Sequence, residues 1–149
     1  MSQENVEILR VFIEDFLGGT SERDRESMLT RLAQVWDPEI ELDASESQVL
    51  DLSGVYRGRG AVGRFWEEWL AAWGTNRFEY QLVDAGDRVV QLFDLRMRGR
   101  STGIEFPFGK IAWVYKLRDG LVVHQKLYMS QSEALEAVGL SEQDAHADS

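Results

Sequence analysis

Cysteine is absent from the 149-residue sequence, which excludes a disulfide framework, a thiolate metal site and a cysteine nucleophile. Histidine is nearly absent too. His124 and His146 are the only two, too few for a histidine cage, so neither a metal nor a cofactor is expected. No apolar run approaches the roughly 20 residues that a membrane-crossing helix requires. The opening segment MSQENVEILR carries acids where a signal peptide carries a basic region, so a cytoplasmic location is expected. Basic charge is scarce: 16 Lys and Arg stand against 26 Asp and Glu, a net charge of −10. Repulsion from a nucleic-acid backbone or an anionic membrane follows, and neither is expected as a partner. The arginines at positions 57, 59, 88, 96, 98 and 100 run against that average and read as a solvated face or an interface rim.

What is present suffices for a packed domain. A hydrophobic fraction of 44% excludes wholesale disorder, and a chain of this length buries roughly two-thirds of its unfolded surface. Residues 1–140 read as one domain and 141–149 as an acidic, flexible tail. Val6, Leu9, Phe12, Ile13, Phe16 and Leu17 recur at helical spacing before Gly18-Gly19. A second helix is expected from Thr20 or Ser21 through Trp36, its stripe made by Met28, Leu29, Leu32, Val35 and Trp36, with Asp37-Pro38 as its break. Glu39 to Asp43 alternates like a half-buried strand. Ala44 to Gly60 reads as loop, with a short strand near Val49 to Leu52. A third helix is expected from Gly60 to Trp73.

Strands follow at Asn76 to Val83, Arg88 to Arg98, Ile104 to Leu117 and Leu121 to Met129. Asp119-Gly120 marks a tight hairpin, because both turn positions must tolerate positive φ. Pro107 inside a strand pattern points to an edge, a bulge or a late strand start. Ser130-Gln131-Ser132-Glu133 is a capping box opening a last helix that Gly139 ends. Gly58-Arg59-Gly60-Ala61-Val62-Gly63 matches the dinucleotide fingerprint in spacing, but no buried strand precedes it, so it reads as a helix-entry turn. The order of elements gives an α+β domain with helices folded onto one face of a curved sheet.

Several segments carry a family resemblance. They are Asp37-Pro38-Glu39-Ile40-Glu41, Gly54-Val55-Tyr56-Arg57-Gly58-Arg59, Phe65-Trp66 and Asp84-Ala85-Gly86-Asp87-Arg88-Val89-Val90. Leu117-Arg118-Asp119-Gly120 and Tyr128 followed by Glu133-Ala134-Leu135 complete the set. In this order they resemble the SnoaL-like branch of the nuclear-transport-factor-2-like superfamily. The resemblance implies a strongly curved antiparallel sheet wrapped around a pocket, with the N-terminal helices on its concave face. It also implies a small-molecule pocket protein for an apolar organic ligand and, where such a protein is an enzyme, cofactor-free isomerisation, cyclisation or dehydration; the alternative reading is a non-catalytic dimeric ligand-binding or interaction module. The epoxide hydrolases of that superfamily carry an arginine and two aspartates that would fall at Phe93, Leu95 and near Leu127. All three positions are apolar here, so that triad is missing.

Strand alternation sorts the remaining candidates. Phe93, Leu95 and Met97 share one face with Trp113, Tyr115 and Leu117, and with Val123, Gln125, Leu127 and Met129. Of these, Phe93, Leu95, Trp113, Tyr115, Gln125 and Leu127 are expected to line the pocket, joined by Phe16, Trp66 and Trp69 from the helices. Asp43, Tyr56 and Glu105 are the candidate acid, base or hydroxyl donors, provided they are buried enough to shift. The opposite face would hold Asp94, Arg96, Arg98, His124, Lys126 and Tyr128, together with Val90, Leu92, Val114 and Val122. That mixed surface is expected to form a homodimer contact.

Overall fold

The structure, a computed structural model, describes residues 2–18, 29–47, 53–72, 79–99, 101–141 and 143. Within these, the side chains of residues 2, 15–18, 70, 72, 97, 106 and 108 lie outside the description. Phe16 and Met97 are therefore placed by backbone alone. The start of the second helix, the strand expected near Val49 to Leu52, Trp73, the Asn76 end of its strand, Arg100 and nearly all of the tail lie outside the described residues.

Helix α1 (Ser2–Gly18) lays Leu9, Phe12 and Ile13 into the core. Residues 29–33 are helical and bury Leu32. The expected helix through Trp36 stops short, because Trp36 is already the first residue of strand β1 (Trp36–Asp43). Pro38 accounts for this: it forces Asp37 into an extended conformation, so the helix must turn earlier, at residues 34–35. Trp36 keeps an inward direction and is 1% exposed. Strand β2 (Val55–Arg57), read as loop in the sequence, runs straight into helix α2 (Gly58–Ala72). The fingerprint-like glycine segment is thus a helix entry, two residues earlier than expected. Arg59 secures it by donating from Nε to the Trp36 carbonyl at 2.8 Å.

Strands β3 (Tyr80–Ala85), β4 (Arg88–Arg98), β5 (Glu105–Arg118) and β6 (Leu121–Tyr128) form an antiparallel meander. At the last turn Asp119 and Gly120 have φ of 54° and 78°, the paired positive values that fit a two-residue hairpin. The sheet order is β2-β1-β6-β5-β4-β3, and β1 lies parallel to β6. The sheet is therefore mixed, where the sequence pointed to antiparallel pairing, and it is not closed. The parallel pair is reached by a crossover through α2 and the meander, as parallel neighbours require.

Two bulges shape the faces. In β5, Leu95 pairs with Gly109 and Arg96 with Pro107, leaving residue 108 as the extra one. Pro107 sits beside this bulge and Gly109 takes a φ of 85°. In β6, Val122 pairs with Leu117 and His124 with Lys116, leaving Val123 as the extra residue. That bulge shifts the alternation by one position. Val122, expected on the outer face, is 0% exposed in the inner core, and half-buried Val123 gives up its expected inner place.

The main core lies between α1, residues 29–33, α2 and the inner face of the sheet. A second core lies on the outer face, where Ala134 and Leu135 of helix α3 (Gln131–Ala137) cover Val83, Val90, Leu92, Ala112 and Val114. Ser130 caps α3 by accepting from the Glu133 N–H at 3.3 Å. The apolar part of the outer face over β3, β4 and β5 is thus covered by the chain's own helix.

Candidate ligand site on the inner sheet face

Alternation on β4 and β5 sends Phe93, Leu95, Trp113, Tyr115 and Leu117 inward, as their pattern indicated. Leu127 joins them from β6, and Trp66 and Trp69 come from the buried stripe of α2. Aromatic rings meet along this wall. The Trp66 and Trp113 centroids are 6.0 Å apart, Phe65 stands edge-on to Trp66 at 4.9 Å, and Phe12 stands edge-on to Tyr115 at 6.4 Å. Such offset and edge contacts add to the large apolar area each ring buries.

Polar groups on this face are few and neutral. Among the described residues the buried polar side chains are Gln91, 2% exposed, and Gln125, 0% exposed. The Tyr115 hydroxyl donates to Gln91 Oε1 at 2.5 Å. Burial pushes the Tyr115 phenol well above its ordinary value of 10.0, because an apolar environment disfavours the phenolate. Tyr115 is therefore a neutral donor committed to Gln91 rather than a base. Gln125 stands opposite Tyr115 on one side and Leu42 on the other, yet neither its amide nitrogen nor its oxygen has a hydrogen-bond partner. The Trp36 indole N–H in the same core is also unpartnered. Each such group costs about 1–3 kcal/mol when buried unmet.

The three candidates for acid, base or hydroxyl roles fall in different places. Asp43 pairs in register with Lys126 and flanks inward Leu42, so it faces outward. Burial pulls its carboxyl up, but hydrogen bonds from Ser45 Oγ at 2.6 Å and Ser45 N–H at 3.0 Å outweigh that. Lys126 and His124 act in the same direction, and the carboxyl sits below its usual 3.8. A carboxylate held in its charged form this way is a weak base. Glu105 opens β5 with its side chain 50% exposed, 3.9 Å from Arg96 Nη1. Tyr56 lies opposite Leu42 with its ring 5.1 Å from Phe65, and its hydroxyl donates to the Ser53 carbonyl at 3.1 Å. Burial, with Glu68 adding to it, raises its pKa above 10.0. The structure therefore does not bring Asp43, Tyr56 and Glu105 together. Among the described residues no three His, Asp or Glu side chains are grouped to hold a metal ion.

Among the described residues, the buried inner Gln91 and Trp36 escaped the sequence reading. Gln91 lies two positions before Phe93 on the same strand, so the alternation that placed Phe93 carries the signal for it. Trp36 was masked by a helical stripe that runs on through it, although Asp37-Pro38 marks the change of conformation.

Comparison with known proteins fits this architecture. The family model described as the SnoaL-like domain matches residues 13–125. No curated protein matches the chain. Among solved structures, a nuclear-transport-factor-2-like protein of unknown function from Burkholderia pseudomallei superposes with a TM-score of 0.70 at 17% identity, covering 91% of this chain and 98% of that one. A candidate polyketide cyclase from Xanthomonas campestris pv. campestris gives 0.66 at 14% identity, with 93% and 98% covered. A candidate isomerase from Bacillus subtilis gives 0.65 at 15% identity, with 99% and 95% covered. At these identities the likeness is one of fold.

Proposed function

The chain belongs to the SnoaL-like domain family, and from that premise we propose that it binds a small, neutral, largely apolar organic molecule against the inner sheet face. The observation that carries this reading is the composition of that face. Its wall is largely aromatic, and among the described residues its buried polar side chains are uncharged: Gln91, Gln125 and the Tyr115 hydroxyl. An ion brought there would lose its hydration with no charged partner among the described inner residues to compensate. A neutral molecule loses little and gains apolar burial at roughly 25 cal/mol per Å². Phe93, Leu95, Trp66, Trp69, Trp113 and Leu127 supply the apolar contacts in this reading, with Phe16 contributing from α1.

A second reading is supported by two of the structural neighbours, which carry the names polyketide cyclase and isomerase. In it the same face promotes cofactor-free proton transfer on a carbonyl compound, with Tyr56 as a hydroxyl donor that exchanges its bond to the Ser53 carbonyl for one to the substrate. One experiment separates the two. The protein is mixed with the bicyclic ketone tetralone in deuterium oxide, and both binding and exchange of the protons beside the carbonyl are followed by NMR. Binding without catalysed exchange is the expected result. Catalysed exchange would favour the proton-transfer reading, and no binding at all would contradict both.

The proposal extends to a homodimer through the outer sheet face, at its β1 and β2 end, away from the strands that α3 covers. Val55 is 45% exposed there. Sedimentation equilibrium tests it: a mass of two chains is expected, and a single-chain mass at all concentrations would remove this element.

A further inference from the structure

Among the described residues, Gln125 is the least satisfied side chain in the inner core. It is 0% exposed, and both its amide atoms lack partners. Its nearest polar neighbour in register, Tyr115, is no help as a donor, because a phenol has one O–H and that one goes to Gln91. On the other side Leu42 offers nothing polar. A carboxamide presents two N–H donors and a carbonyl with two lone pairs, side by side at the end of one planar group. Its complement is therefore a group with an acceptor and an N–H or O–H donor on one edge. A ketone satisfies only the N–H side. A hydrocarbon satisfies neither. The unpartnered Trp36 indole is a donor only, and it adds capacity for a further acceptor.

We propose that Gln125 selects for neutral apolar ligands bearing a lactam or cis-amide edge, which its carboxamide engages through two antiparallel hydrogen bonds. This rests on the reading of the inner face as the ligand site and narrows it to a ligand class. The surroundings favour selectivity, because a buried amide rejects a ligand that leaves it unmet far more strongly than an apolar wall rejects a missing methylene. Both amide atoms are shielded from solvent, so a ligand that meets them displaces packing contacts around Gln125. Those packing contacts are non-directional and exchangeable, whereas the unmet hydrogen bonds are not.

The test uses three probes on one bicyclic skeleton: the lactam dihydroisoquinolinone, the ketone tetralone and the hydrocarbon tetralin. Affinities are measured by equilibrium dialysis for the wild type and for Gln125→Met, which keeps the volume and removes the amide. The wild type is expected to bind the lactam at least about tenfold more tightly than the other two, the scale of one discriminating hydrogen-bonded contact. The variant is expected to lose that preference, to keep its affinity for tetralin, and to melt no lower than the wild type. A wild type that binds all three probes alike would overturn the lactam selection and leave the apolar site standing. So would a variant that retains the lactam preference. A variant that melts several degrees lower would show that Gln125 is already satisfied in the free protein, and would overturn the proposal too. Failure of all three probes to bind would overturn the underlying site as well.

Discussion

The inner and outer faces of the sheet are made by alternate residues of the same strands, yet they hold their polar groups in opposite ways. On the inner face Gln91, Tyr115 and Gln125 are neutral and buried, and one of them lacks partners altogether. On the outer face Asp43, Arg96, Glu105 and Lys126 are charged and meet solvent or one another. Lys126 Nζ lies 4.9 Å from the centroid of the Tyr128 ring. Over β3, β4 and β5, where the outer face is apolar, α3 covers it. The difference shows what each face tolerates. Water and screening make an outer charge inexpensive and an outer ion pair weak. On the inner face an unpaired neutral amide is the most polar unpaired group among the described residues, because an unpaired ion would cost several times more.

The comparison can be broken most forcefully at the aromatic wall. Trp113→Ala removes a ring 7% exposed that meets Trp66, and a loss of about 3–5 kcal/mol is expected in urea unfolding. On the outer face Leu135→Ala acts on a smaller core. About 2 kcal/mol is expected, together with increased binding of a hydrophobic dye as Val90, Leu92 and Val114 lose their cover. A loss at Leu135 as large as at Trp113 would mean that the two cores share the stability evenly.

Polar substitutions sharpen the contrast further. Tyr115→Phe leaves Gln91 Oε1 without its donor, and about 1–3 kcal/mol should be lost. Adding Gln91→Met to that variant should recover part of it, which a double-mutant cycle reads directly. Ser130→Ala removes the cap of α3 and should cost about 1 kcal/mol.

The smallest effect is expected at Asp43. Its folded pKa lies below 3.8, so its stabilisation is present above pH 3.8 and is lost as pH falls through the lower folded value. Asp43→Asn keeps an acceptor for Ser45 but lacks the titration. Wild type and variant should therefore differ slightly at neutral pH and converge in acid, as melting curves across the acidic range will show.

Much of this arrangement was legible in the sequence because alternation and turn chemistry are local. Arg88 to Arg98 reads as a strand from its own pattern, and Asp119-Gly120 and the Ser130 cap identify themselves by residue type. What escaped depends on partners distant in the chain. Val122 turns inward because a bulge in β6 is set against β5, and no repeat within Leu121 to Met129 announces the extra residue. The parallel pairing of β1 with β6 joins segments some eighty residues apart, which periodicity alone does not encode. The surroundings of the candidate acids were hidden for a related reason. Asp43 and Glu105 were chosen as chain positions at strand ends, but register decides the face, and it sends Asp43 toward Lys126. The inner aromatic residues were easier to place, because an apolar ring on a half-buried strand has one favourable direction.

The most direct test of the account is a nitrogen–proton NMR titration of the protein with dihydroisoquinolinone, read at the tryptophan indole signals. Of the five tryptophans, Trp36, Trp66, Trp69 and Trp113 lie in the inner core. The account predicts saturable shifts at these indoles and at the Gln125 side-chain amide, with the backbone signals of Asp94, Arg96 and Glu105 unmoved. Shifts confined to the outer face, or none at any concentration, would contradict the claim that the inner face is where this protein meets its ligand.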